Sequence, residues 1–168
     1  LTGDVDFSQD KDRFVFVNES SNVGAVKVYA NIDKLNPLPL GNKNLLCSDA
    51  VGQFMPDNFI HELAFVIDGV LFTGCAHNGI LNILQSIDVP ISLSIGGFHL
   101  LDSHLDQSYE NDEQLNRIAV CLHEDYPHVQ FYTGHCTGDH CYDMLSQSNN
   151  THIHQFHCGE EILLASNE

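Results

Sequence analysis

Three histidines in this sequence, His77, His99 and His135, each follow a short apolar run and lie close to glycine. They occur in Gly74-Cys75-Ala76-His77-Asn78-Gly79, in Gly96-Gly97-Phe98-His99 and in Thr133-Gly134-His135-Cys136-Thr137-Gly138. Glycine at a strand end lets the backbone turn tightly and come close to a ligand. Imidazole is the commonest transition-metal ligand, and three neutral imidazoles suit Zn²⁺ or a similar ion in softness and geometry. A single loop histidine more often just bonds backbone. Three in parallel contexts favour convergence on one ion.

Strands and helices must place those loops. Alternating apolar residues predict strands over 14–17 and 25–29, followed by a turn-rich connection over 35–41 with two prolines. Two apolar runs, 63–67 and 70–73, flank Asp68-Gly69 and predict a tight hairpin. Beyond it, Ile80, Leu81, Ile83, Leu84 and Ile87 recur at helical spacing, and a strand is expected over 91–95. A second helix is predicted from near Asn111, with Leu115, Ile118, Ala119 and Leu122 on one face. A strand over 129–132 and a third helix carrying Cys141, Met144 and Leu145 follow, and strands over 152–156 and 161–165 close the chain around Cys158-Gly159. Such alternation predicts an α/β layered sheet with helices on a face, and ligands gather at the carboxyl ends of its strands.

With 168 residues the chain suits a single domain over 1–168. Its 23 Asp and Glu against 6 Lys and Arg give a formal net charge of −17. That excludes the usual nucleic-acid binder and disfavours anionic lipid, because both need clustered cations. A small-molecule substrate is expected instead, and an anionic one would need a local cation such as a metal. A hydrophobic fraction of 43% is too high for a disordered acidic chain. No apolar run approaches the ~18–20 residues that cross a bilayer. The six cysteines lack disulfide-scaffold spacing, so a cytoplasmic protein is expected. Two sequons, Asn18-Glu19-Ser20 and Asn149-Asn150-Thr151, carry little weight outside a secretory context.

The three histidine motifs, in this order and with Asp57, Phe59, His61 and Glu62 ahead of the first, resemble the metallo-β-lactamase superfamily. The resemblance is to its metal-dependent hydrolase branch related to ribofuranosylaminobenzene-phosphate-synthase-like proteins, and it covers most of the chain. It implies a four-layer αββα sandwich in which one or two metal ions, zinc with Mn or Fe as alternatives, activate water for hydrolysis. By that pattern His77 and His135 are metal ligands, His99 is a ligand or adjoins the metal, and Cys75 is a possible further contact.

The superfamily's His-x-His-x-Asp-His segment, which supplies the first ligands, is not in these 168 residues. The expectation is therefore a partial sandwich, the later two-thirds of the fold, completed by a chain supplying the N-terminal half or by a homodimer. The function expected is metal-dependent hydrolysis, incomplete in this chain alone, and the alternative is a non-catalytic metal-binding or interaction module. The string His152-Ile153-His154-Gln155-Phe156-His157 lacks the aspartate and reads as a solvated strand face, with a separate surface metal site as the lesser alternative. The acidic run from Asp102 to Asp112 reads as a loop and helix start, and residues from Thr137 onward as a capped helix.

Overall fold

Asp68 and Gly69 both take positive φ, 49° and 75°, and so turn β5 (Ala64–Ile67) back on β6 (Val70–Phe72) as the antiparallel hairpin expected of that dipeptide. The computed structural model describes residues 11–13, 15–49, 51–147 and 152–164. After the hairpin the chain alternates through α1 (Ile80–Ser86), β7 (Leu93–Ile95), α2 (Asp112–Asp125), β8 (Gln130–Thr133), α3 (Asp139–Ser146) and β9 (Ile153–Gln155). β6, β7, β8 and β9 pair in parallel, each with the next. The hairpin of β1 (Ser21–Val23) and β2 (Val26–Tyr29) adds to β5 antiparallel, giving one seven-stranded mixed sheet in the order β1-β2-β5-β6-β7-β8-β9.

Helix α2 starts where the sequence places it. The Asn111 side chain accepts from Gln114 N and the Gln114 side chain accepts from Asn111 N, a reciprocal cap that satisfies two backbone donors. Leu115, Ala119 and Leu122 are its buried stripe, with Ile118 partly buried beside them.

The two faces of the sheet differ. Val66, Leu71, Ser94, Phe131 and Ile153 are aligned across five strands and all are buried. All but Ser94 share one apolar cluster with Ile80, Ile83 and Leu84 of α1, with the α2 stripe, and with Cys141 and Leu145 of α3. The neighbouring register row points the other way, since side chains alternate along a strand. It comprises Val28, Phe65, Phe72, Ile95, Tyr132 and His154, none of them buried, with Phe65 41% exposed.

Two expectations need correction, and one pair of strands is new. Residues 15–17 form no strand, and Phe14 lies outside the described residues; the first strand is β1, turned into β2 at Gly24 and Ala25. No strand is present over 161–164, where Leu163 is 87% exposed and has no packed face to define a register, while residue 165 lies outside the described residues, as does the sequon at 149–151. An unforeseen two-stranded sheet pairs β3 (Leu46–Ser48) with β4 (Phe54–Pro56), around a turn in which the Asp49 carboxylate accepts from Val51 N and Gln53 N. All six cysteines are free. No helix among the described residues is long and apolar enough to cross a membrane.

Candidate metal centre

The three histidine motifs leave the carboxyl ends of β6, β7 and β8, which are neighbours in the sheet. Backbone bonds tie their loops together: Gly97 N donates to Gly74 O at 2.9 Å, Gly96 N to Tyr132 O at 3.1 Å, and Gly138 N to Leu100 O at 2.8 Å. The Thr137 hydroxyl accepts from Phe98 N at 3.0 Å and is bonded to the Thr133 hydroxyl at 2.7 Å. Each loop also holds one non-glycine residue at positive φ, Ala76 at 56°, His99 at 50° and His135 at 56°. Such conformations cost on the order of 1–3 kcal/mol each and persist where surrounding contacts impose them, often at functional sites.

The structure places the expected residues in two adjoining groups. In the first, the His77 and His99 rings meet edge to face with centroids 4.2 Å apart, and Phe59 stacks on His77 at 4.5 Å. Glu62 fixes the His77 loop, one carboxylate oxygen accepting from His77 N at 2.6 Å and the other from Asn78 N at 2.7 Å. Asn42 fixes the ring. Its Nδ2 donates to His77 O at 2.7 Å, which orients the amide so that Oδ1 accepts from His77 Nδ1 at 3.1 Å. The Nε2 lone pair is then free for a cation, the arrangement expected of a ligand imidazole whose other nitrogen is hydrogen-bonded. We expect Asn42→Ala to release the Nε2-H tautomer, visible in imidazole ¹⁵N shifts, while lowering stability by only about 1 kcal/mol.

His99 is buried at 7% exposure, and neither ring nitrogen has a hydrogen-bond partner. Burial first, and then His77, push its imidazole down to about 4; the Gly41 backbone beside the ring opposes this weakly, without the geometry of a hydrogen bond. Burial likewise lowers His77. Both rings are therefore neutral at pH 7 and can offer lone pairs. An unpartnered buried imidazole calls for explanation, and an ion is one that fits.

In the second group, Cys75, His135 and Cys136 bring their donor atoms within 4.8 Å of one another. Cys75 Sγ lies 3.8 Å from His135 Nδ1, and Cys136 Sγ donates to Cys75 O at 3.7 Å. Gly97 makes room for the second thiol, since a Cβ there would lie 2.4 Å from Cys136 Sγ. Burial first, and then Cys75, push the Cys136 thiol up to about 12, against an opposing contribution from the His99 backbone amide. His77, His99 and His135 do not themselves form one donor group within 4.8 Å among the described residues; His135 sits with the thiols. Sequence reasoning does not single out Asn42, and it does not join Cys136 to Cys75 and His135.

Gln130 occupies the other histidine string. Its amide bonds His152 Nδ1 at 2.9 Å and His154 Nε2 at 2.8 Å, and both rings are half-buried, so the face is less solvated than expected. No donor group joins them to His157 among the described residues. Asp102 in the acidic run is a cap, accepting from His140 N and Cys141 N at the start of α3.

The fold is the metallo-β-lactamase fold, and the loops at its adjacent parallel strand ends carry a Cys/His group that could hold a metal ion. A solved metal-dependent hydrolase of the β-lactamase superfamily, Tm1679, superposes with a TM-score of 0.70 at 23% identity, over 91% of this chain and 59% of that one. Among curated proteins, 104 residues are 32% identical to the uncharacterized protein MJ0448 of Methanocaldococcus jannaschii, covering 59% of this chain and 36% of the relative. A further 120 residues-long match, 26% identical, is to the 7,8-dihydropterin-6-methyl-4-(beta-D-ribofuranosyl)-aminobenzene-5'-phosphate synthase of the same organism, covering 66% of this chain and 38% of that enzyme. The chain thus spans little more than a third of the curated relatives it matches. No family model matches it.

Proposed function

We propose that this chain carries the later ligand loops of a metal-dependent hydrolase, with ions drawn to donors among His77, His99, His135 and Cys75. The observation that supports it most is the placing of the His77–His99 ring pair and of the Cys75, His135 and Cys136 donor group at three adjacent parallel strand ends. A divalent ion held there supplies Lewis acidity and an acidified water. The chain's own residues prepare for it: Asn42 presents His77 Nε2, Glu62 holds the loop, and burial keeps His99 unprotonated. Zinc is the favoured ion because the donors are nitrogen and sulfur, with Mn or Fe as alternatives. The half-exposed row on the open sheet face supports completion of the layer by further polypeptide or a second copy, which would bring the remaining donors.

The test pairs metal analysis with hydrolysis of a generic phosphodiester and a lactone. In the assembly completed by that further polypeptide, stoichiometric metal, with turnover reduced at least about 100-fold by His135→Ala, is the expected result. Metal bound without turnover favours the non-catalytic metal-binding module. Neither metal nor turnover overturns both readings.

A further inference from the structure

We propose that Cys75, His135 and Cys136 form a two-sulfur, one-nitrogen site for a borderline-soft divalent cation of the zinc type, with Cys136 as its second sulfur donor. The proposal deepens the reading above by naming the donors around His135, and it holds whether or not the chain catalyses hydrolysis.

The distances decide in its favour. A tetrahedral zinc ion with Zn–S of about 2.3 Å and Zn–N of about 2.0–2.1 Å holds neighbouring sulfur and nitrogen donors roughly 3.5–3.7 Å apart. Cys75 Sγ and His135 Nδ1 stand 3.8 Å apart, and the whole group fits within 4.8 Å. Only small side-chain adjustments separate this arrangement from a ligand shell. Three protein donors leave a fourth position for solvent or another ligand.

Chemistry narrows the ion. The group contains no carboxylate, so hard cations such as Mg²⁺ and Ca²⁺, which need several oxygen donors, have little to bind. Two thiols select for zinc and its softer neighbours. Entry of the ion breaks two S–H bonds and forms two metal–sulfur bonds, both protons leaving to solvent, and nothing is oxidised or reduced. His135 is exposed and both cysteines are half-buried, which leaves an entry path.

The architecture fits a built site. Cys136 lies 61 residues from Cys75 in sequence, and the two come together because β6 and β8 flank β7. The missing Cβ at Gly97 makes the space for the Cys136 sulfur.

Cobalt(II) titration of the reduced 168-residue chain under anaerobic conditions tests the proposal. Sulfur ligation gives a near-ultraviolet charge-transfer band that nitrogen or oxygen ligation does not. The expected result is such a band saturating at one ion per chain, about half as intense in Cys75→Ser and in Cys136→Ser, each having lost one of two sulfurs. It should persist in His77→Ala. Binding of cobalt without the band, a band unaffected by Cys136→Ser, or no binding at all each overturns the proposal. If a variant fails to fold, the wild-type band intensity still counts the sulfurs, and an intensity matching any number of thiolates other than two overturns the proposal. Absence of hydrolysis alongside a full band would sink the hydrolase reading alone.

Discussion

Gly96→Ala should lower the stability of the chain by about 3–5 kcal/mol, a drop read as a shift of the urea midpoint at unchanged slope. At Gly96, φ is 157°, and a Cβ would stand 1.9 Å from Thr73 Oγ1, 2.7 Å from Thr73 O and 3.1 Å from Gly74 O. The hydroxyl could rotate away, since it has no hydrogen-bond partner to lose. The two carbonyl oxygens cannot. They belong to the backbone where β6 runs into the first histidine loop, and Thr73 N donates to Ile95 O at 3.0 Å across the same junction. Relief of the clash must therefore separate β6 from β7 at the site, moving Cys75 away from Cys136, so cobalt charge transfer should weaken together with stability. Gly24→Ala is the comparison: φ there is 62°, but nothing lies within 4 Å of the added carbon. That change should cost only about 1 kcal/mol, from backbone conformation alone.

Acid should destabilise the metal-free chain between about pH 6.5 and 4, before most carboxylates take up protons. In the unfolded chain His99 titrates near its ordinary value of 6.5, whereas in the folded chain burial, followed by His77, holds it at about 4. As pH falls through 6.5 the unfolded state gains a proton that the folded state refuses, so stability falls until the folded ring also titrates near 4. The stability is fully present above the upper value. A shift of this size corresponds to on the order of 3 kcal/mol at the acid end of that window. His77 is lowered in the same direction and adds to the slope. His99→Asn should flatten it, because asparagine does not titrate and tolerates the positive φ of 50° found there. Urea midpoints at pH 7, 5.5 and 4.5 for both proteins provide the check. An equal slope in the variant would show that His99 is not the group responsible.

Much of the scaffold was legible because its signals are local. Asp68-Gly69 needs only its own backbone to turn a hairpin, and Asn111 with Gln114 closes a helix start within four residues. The apolar spacing of α1 and α2 survives because both helices lie on one core face. The β3–β4 pair escaped notice because neither strand has a buried face, with only Cys47 partly covered. At the site, sequence identified the loops but not how their side chains sort among themselves. Nothing in the order of residues says that His99 turns to His77 while His135 turns to two thiols. That division depends on long-range contacts, such as Asn42 reaching His77 from 35 positions away and Gly97 clearing room for Cys136.

The row from Val28 through Phe65, Phe72, Ile95 and Tyr132 to His154 leaves a half-covered, ring-rich strip across the sheet among the described residues. Like charge, −17 in total, is what holds such surfaces apart in dilute buffer. That repulsion reaches only about 8–10 Å at ordinary salt and about 3 Å at 1 M. Dispersion of this chain therefore depends on the salt of the solvent.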